Sequence, residues 1–280
     1  MKKYLRVALG VPKHLLSNAY MRFFSRSSMQ SLNDSILNLA LHARGYNNFK
    51  NARLTGEEEF LRLLARHQPT FCIDIGANRG EYSRRLLATT QAKVVAFEPL
   101  PKAFVHLVQI KRDFSNRFEC VNKGVGDRCA VLKLHYGAED SLHASFSSEV
   151  SAIDYVGRSN VNALSVDVVT LDSYLENRPP EPASCIDLIK IDTEGFEFEV
   201  LSGARSTIEK YRPKFIQLEF NLHQLFRGQS LWSIACLLPL YRLYQLMPYD
   251  GGMIPRDPKS PLSNIYQYSN FVFVRGDVQL

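Results

Sequence analysis

The segment Phe71-Cys-Ile-Asp74-Ile-Gly76-Ala77-Asn78-Arg-Gly80 constrains the fold more than any other stretch of the chain. An apolar run ends in a carboxylate, turns through two glycines and enters a helical pattern near Glu81. A short apolar run without polar alternation is a strand covered on both faces, as in a parallel sheet. The glycines allow the backbone a close approach, and the following helix offers unpaired N–H groups at its start. In an open α/β sheet such a unit binds its ligand at the carboxyl ends of the strands.

The rest of the chain repeats the alternation. Apolar strands are predicted at residues 70–76, 93–98, 118–122, 186–192 and 214–220, with helices at 82–88, 102–111, 196–210 and 231–238. Residues 241–247 and 270–275 read as two final strands joined only by a loop, which predicts an antiparallel pair at the sheet edge. The expectation is an α/β protein with a mostly parallel seven-strand sheet and a C-terminal antiparallel hairpin. Residues 123–170 break the rhythm. Two strand-like runs, 131–136 and 164–170, flank a Ser-rich stretch (Ser141, Ser145, Ser147, Ser148, Ser151), which predicts a small β insertion. A short helix at 171–176 precedes a surface linker holding Pro179, Pro180 and Pro182. Upstream, residues 29–43 carry a helical rhythm, and Thr55 with Glu58 has the spacing of a capping box.

The charge is uneven. Lys2, Lys3, Arg6, Lys13, Arg22 and Arg26 all precede the first acid, Asp34, and without them 28 basic residues face 28 acidic ones. The division expected is a basic helical extension over 1–50 and a catalytic domain over 51–280. A balanced body lacks the basic stripe of a nucleic-acid enzyme. The head, residues 1–28, carries Leu5, Val7, Leu15, Leu16, Phe23 and Phe24 among its cations. It reads as a solvated arm, as a helix packed on the domain, or as a peripheral contact with an anionic membrane. No apolar stretch is long enough to span a bilayer. Pro12, Lys13 and His14 interrupt any signal-peptide core, and no cleavage site follows, which argues against export. Five cysteines without zinc spacing, Cys72 and Cys185 among them in or beside apolar runs, suit a reduced cytoplasmic protein.

The glycine turn does not match the Gly-x-Gly-x-x-Gly of dinucleotide sites, which disfavours an NAD-dependent enzyme. Asp74 would repel a pyrophosphate but welcome a nucleoside carrying an ammonium and a sulfonium. Glu98 closes the second strand about 20 residues later, where an acid accepts ribose hydroxyls, and Pro99 stops the strand.

The second strong signal is Asp187-Leu-Ile-Lys190-Ile-Asp192-Thr-Glu194-Gly195. Leu188, Lys190 and Asp192 share one strand face. A lysine there needs a partner, and Gln217 or Glu219 of the next strand is in reach if the two strands are neighbours. Lys190 is then either a buried structural ion pair or part of the site. Asp192, Glu194 and Glu219 all fall at strand ends. Methyl transfer from a sulfonium to a hydroxyl needs alignment and a proton acceptor. Asp192, Glu194 and His223, the last one helical turn after Glu219, are the candidates. Asp192 and Glu219 also offer hard oxygens to a divalent cation such as magnesium, although no spacing compels one.

The two motifs Ile73-Asp-Ile-Gly-Ala-Asn-Arg-Gly-Glu-Tyr82 and Leu188-Ile-Lys-Ile-Asp-Thr-Glu-Gly-Phe-Glu197, with Phe97-Glu-Pro99 and Val200-Leu-Ser-Gly-Ala204, resemble the FkbM family of methyltransferases. The resemblance covers roughly residues 70–275. It implies a class I methyltransferase fold, S-adenosyl-L-methionine as methyl donor, and O-methylation of a sugar, glycan or natural-product hydroxyl. It assigns Asp74, Gly76, Asn78, Gly80 and Glu98 to the cofactor pocket, and Ala77, Tyr82, Pro99 and Asp192 are further candidates for cofactor binding. Gly126 and Asp127 match a segment beside the adenine, and Ser145 a Ser-rich loop near the cofactor. Asp192 and Glu194 fall in the central acidic motif. An alternative of a different class is a catalytically silent module that binds an adenosine ligand and tethers partners through its basic head.

Overall fold

The computed structural model describes residues 13–137, 144–178 and 185–280. Ser141, the prolines at 179, 180 and 182, and Leu5 and Val7 of the basic head lie outside them. The chain divides into two compact units, residues 1–44 and 45–280.

In the larger unit the strands are β1 (Phe71–Ile75), β2 (Lys93–Phe97), β3 (Phe118–Val121), β4 (Gly124–Val125), β5 (Ala130–Tyr136), β6 (Asn162–Val169), β7 (Leu188–Ile191), β8 (Phe215–Phe220), β9 (Tyr241–Leu246), β10 (Met253–Pro255) and β11 (Ser269–Arg275). Eight form one sheet in the order β10-β9-β11-β8-β7-β1-β2-β3. Strands β3, β2, β1, β7 and β8 run parallel, joined through helices. All five residues of β1 are buried, as the unbroken apolar run predicts. The chain winds from β1 outward through β2 to β3, then returns to the other side of β1 with β7. That reversal opens a crevice at the strand ends between β1 and β7.

The seven expected strands are present, with a short eighth at the edge. Strand β11 is antiparallel to both of its neighbours, β8 and β9. It lies inside the sheet rather than at the edge, because Phe271, Val272, Phe273 and Val274 are all buried and need cover on both faces. The edge goes to β10, whose Pro255 is tolerated there because an edge strand can spare one N–H.

The insertion is a separate three-stranded sheet, β4-β6-β5. Two helical segments, Glu149–Ala152 and Asp154–Ser159, sit between β5 and β6. The helix expected over 196–210 is two helices, Glu197–Ser202 and Arg205–Tyr211. A Cβ on Gly203 would lie 2.0 Å from the Gly126 carbonyl oxygen, so the chain breaks where it presses on that strand end. The Thr55–Glu58 capping box does not form. The helix Glu57–Arg66 starts after Gly56, at φ 81°, and Thr55 Oγ1 accepts the Glu57 N–H instead.

In the smaller unit, helix Lys13–Phe24 and helix Gln30–Ala43 are joined by a short turn at Ser27–Met29. Among the described residues no helix is long and apolar enough to cross a membrane. All five cysteines are free, Cys72 buried in β1 and Cys185 half-buried before β7.

Candidate active site

A cavity of about 1050 Å³ opens at the carboxyl ends of the parallel strands. Its first wall comes from β1, β2 and β4: Ile75, Gly76, Asn78, Phe97, Glu98, Pro99, Lys123, Gly124 and Val125. The second comes from the ends of β7 and β8: Asp192, Thr193, Glu194, Glu219, Asn221 and His223. Aromatic side chains from distant segments close it: Phe49, Phe146, Tyr155, Tyr266 and Tyr268. Ligand pockets usually hold roughly 300–1,000 Å³, so this one has room for a donor and an acceptor together.

The first wall is fixed by the backbone. Asn78 N–H donates to Glu98 Oε2 at 2.8 Å, and Leu100 N–H donates to Oε1 at 2.8 Å. Glu98 is thereby held facing the cavity from the end of β2. Burial pushes its carboxyl up to about 7, with the two N–H donors acting in the opposite sense. Gly76, at φ 78°, is required by the chain itself: a Cβ there would lie 1.8 Å from the Asp192 carbonyl oxygen. The β1 and β7 turns can meet only because this residue has no side chain. Gly80 serves packing, since its Cβ would meet Leu107 and Ile110.

Asp74 does not face the cavity. It is fully buried beneath the helix Glu81–Thr89, where the Ser83 hydroxyl donates to its Oδ2 at 2.6 Å. Alternation along β1 turns it to that face while Ile75 and Gly76 reach the rim. Its other oxygen lies 3.8 Å from Lys190 Nζ. Lys190 is the buried hub of the sheet. Its ammonium sits 2.9 Å from Asp192 Oδ2 and 5.0 Å above the Tyr82 ring centroid. Desolvation pulls the ammonium down, but Asp192, Asp74 and Glu57 outweigh it and the pKa is raised. Gln217, opposite Lys190 in register, is engaged elsewhere: the Tyr82 hydroxyl donates to its Oε1 at 2.7 Å. Lys190 therefore meets Asp192 and Asp74 rather than Gln217 or Glu219.

Ala77, Gly80 and Tyr82 are packed in the fold and do not line the cavity. Gly126 is buried against Phe196, and Asp127 is a surface residue beside Arg128, so the cavity wall there is Lys123–Val125, slightly upstream. Ser145 donates to the Glu194 carbonyl at 2.8 Å and ties the insertion to the acidic turn without lining the cavity.

The second wall is strained and acidic. Glu194 takes φ 54° and Gly195 φ 97° in the turn after β7. A glutamate in the left-handed region is held there by its surroundings, and Glu197 supplies the hold. Its Oε1 accepts the Thr193 N–H at 3.0 Å and the Thr193 hydroxyl at 3.1 Å. Its Oε2 accepts Gly195 N–H at 3.1 Å and Gln224 Nε2 at 2.6 Å. Carboxylate oxygens of Asp192, Glu194 and Glu219 lie within 4.8 Å of one another. Burial, then the charge of Asp192, raises Glu194 and Glu219 well above the carboxylate range.

His223 is not on a helical turn with Glu219, because Glu219 ends β8 and His223 opens the next helix, Leu222–Phe226. Asn221 caps that helix, its Oδ1 accepting His223 N–H at 2.7 Å. The cap brings the ring back against the turn, with Nδ1 3.0 Å from Glu194 Oε2. Burial lowers the His223 pKa, so the imidazole is neutral at neutral pH.

Sequence reasoning missed Glu197, and it missed the aromatic wall. Asn47 N–H donates to the Tyr268 carbonyl at 2.8 Å, and Asn47 Nδ2 to Gln267 Oε1 at 2.9 Å. The aromatic turn at 46–49 is thus stapled to residues 262–268 across more than two hundred positions, and no local signal announces that pairing.

The donor set fits S-adenosylmethionine. A carboxylate at the end of β2 suits ribose hydroxyls. The crowded acids of the second wall have one buried ammonium among them, that of Lys190, and suit a ligand of net positive charge.

The family profile described as Methyltransferase FkbM domain matches residues 74–247. The chain is 27% identical over 212 residues to the 2-O-methyltransferase NoeI of Sinorhizobium fredii, spanning 72% of this chain and 84% of that protein. It is 28% identical over 162 residues to the hexuronic acid methyltransferase AglP of Haloferax volcanii, spanning 56% of this chain and 59% of that one. Among solved structures, an rRNA methylase from Streptococcus thermophilus superposes with a TM-score of 0.42 at 14% identity, over 81% of this chain and 98% of that chain. With the family profile covering more than half of the chain, this protein belongs to the FkbM methyltransferases and is an S-adenosylmethionine-dependent enzyme.

Proposed function

We propose that the enzyme methylates a neutral hydroxyl of a sugar or glycan, with the donor against the β1–β2 wall and the acceptor against the β7–β8 wall. The observation that carries this reading is the His223–Glu194 pair opening into a cavity shared with Glu98. The bound donor supplies an electrophilic methyl and a net positive charge. Beside that charge, Glu194 releases its proton to solvent and becomes the acceptor for His223 Nδ1–H. Nε2 of the ring is then free to take the hydroxyl proton as the new C–O bond forms. Asp192, already paired with Lys190, fixes the rim of the site. The aromatic wall of Phe49, Tyr155, Tyr266 and Tyr268 offers flat apolar faces of the kind sugar rings stack on.

Glu194, once ionised, repels an anionic acceptor, so the reading lies nearer the 2-O-methyltransferase NoeI than the hexuronic acid methyltransferase AglP. The three carboxylates of the second wall are also the kind of ligands magnesium takes. The Lys190 ammonium already answers Asp192, and the proton is better assigned to His223 than to a metal-bound hydroxyl. The cytoplasm, where the donor is made, is the compartment this reading requires.

The test is mass spectrometry of surface and lipid-linked glycans from cells with and without the gene, paired with calorimetry of S-adenosylhomocysteine on the purified protein. The reading expects a glycan lighter by one methyl in the deletion. Tight nucleoside binding with no glycan change would refute the acceptor class. Absence of binding would refute the site itself.

A further inference from the structure

The smaller unit carries an apolar surface that the catalytic reading does not use. In helix Lys13–Phe24, Leu15, Leu16, Met21 and Phe23 are all more than half exposed, and Leu37 and Leu39 of helix Gln30–Ala43 reach 57% and 71%. Leu41 is the one buried side chain among the described residues of this unit. The two helices are nonetheless joined in a defined way. Tyr20 stacks on Phe24 with centroids 4.7 Å apart, and its hydroxyl donates to Asn33 Oδ1 at 2.6 Å. Asn33 Nδ2 in turn donates to the Phe24 carbonyl at 2.8 Å. Helices of 12 and 14 residues with almost nothing buried are marginal in water. They need an apolar surface to lie on.

The charge names that surface. Six cations precede Asp34, and Arg22 and Arg26 are exposed beside the apolar side chains. A second copy would bring two such cationic heads together with a single acid, Asp34, on each to answer them. A polyanionic duplex would satisfy the cations but leave the leucines and Phe23 in water. An anionic bilayer satisfies both, with apolar side chains at the headgroup boundary and cations among the phosphates.

We propose that residues 13–43 form an interfacial helical pair that docks the enzyme on anionic lipid. The docking is independent of the acceptor, so it stands or falls apart from the function proposed above. The experiment is flotation of the full chain with vesicles of phosphatidylglycerol and phosphatidylcholine in equal parts, against phosphatidylcholine alone. The chain floats with the first at low salt, not with the second, and high salt releases it. Arg22→Ala and Arg26→Ala each weaken binding about fivefold, and Leu16→Asp with Phe23→Asp abolishes it, all with S-adenosylhomocysteine affinity unchanged. Flotation equal on both vesicles, or unaffected by the Leu16 and Phe23 changes, overturns the proposal. So does a dimer by light scattering that Phe23→Asp dissolves, or binding to duplex DNA in place of vesicles.

Discussion

The two walls of the cavity are built on opposite principles. On the β1–β2 wall, the one carboxylate is held by two main-chain N–H groups, and the turn geometry comes from glycine. On the β7–β8 wall, three carboxylates crowd together, a glutamate sits in the left-handed region, and a buried second glutamate holds the turn. The first wall is at rest before any ligand arrives. The second keeps two carboxyls raised by burial and by the charge of Asp192, on a strained turn, and a cationic ligand lowers them. The contrast separates binding from chemistry: substitutions on the first wall should cost donor affinity, and those on the second should cost turnover.

The largest expected effect is on the second wall. His223→Ala should lower kcat by about 10²–10⁴-fold while S-adenosylhomocysteine affinity, measured by calorimetry, stays within about twofold of wild type. A large loss of affinity would merge the two walls into one. Next is Glu197→Ala, which orphans the N–H groups of Thr193 and Gly195 and the amide of Gln224. Losing several bonds to a buried carboxylate should cost about 3 kcal/mol of stability in urea titration and lower kcat more than it raises the donor KM.

Much of the first wall was legible in the sequence, because it is local. Gly76, Asn78 and Glu98 lie within a single strand–helix–strand unit, and a strand end places them with little help from the rest of the chain. Asp74 was misplaced for an equally local reason: one step back along β1 turns a side chain to the opposite face, and only the helix above reveals which face is closed. The seven strands were legible from apolar runs, but the interior position of β11 was not. Its four buried residues look the same whether the strand ends a sheet under cover or sits within it. On the second wall, Asp192 and Glu194 announce themselves as acids after an apolar strand. The His223–Glu194 contact and the Asn47–Tyr268 staple depend on how distant segments fold back, which periodicity does not encode.

The first wall is tested more finely by pH. The Glu98 carboxyl sits near 7, raised by burial from 4.5. Ribose hydroxyls donate to the ionised form, so donor affinity should rise as pH climbs from 6 to 8, by up to about tenfold per unit below the pKa. Glu98→Gln should lower affinity by about tenfold and flatten that profile. Stability of the free enzyme runs the other way: a raised carboxyl contributes most below 4.5, and that contribution is lost as pH rises through 7. Smaller still is the effect of the aromatic wall. Tyr155→Ala should raise the acceptor KM about three- to tenfold and leave donor binding alone. The smallest is chelation: EDTA should leave turnover unchanged, and a loss restored by magnesium would move the chemistry from His223 to a cation held by Asp192 and Glu219.

The most direct measurement is a crystal structure with S-adenosylhomocysteine bound. The account predicts ribose hydroxyls on Glu98 and the sulfur turned toward Asp192, Glu194 and His223. A ribose away from Glu98, or a sulfur facing the β3 side of the cavity with His223 remote from it, would contradict the division between the walls.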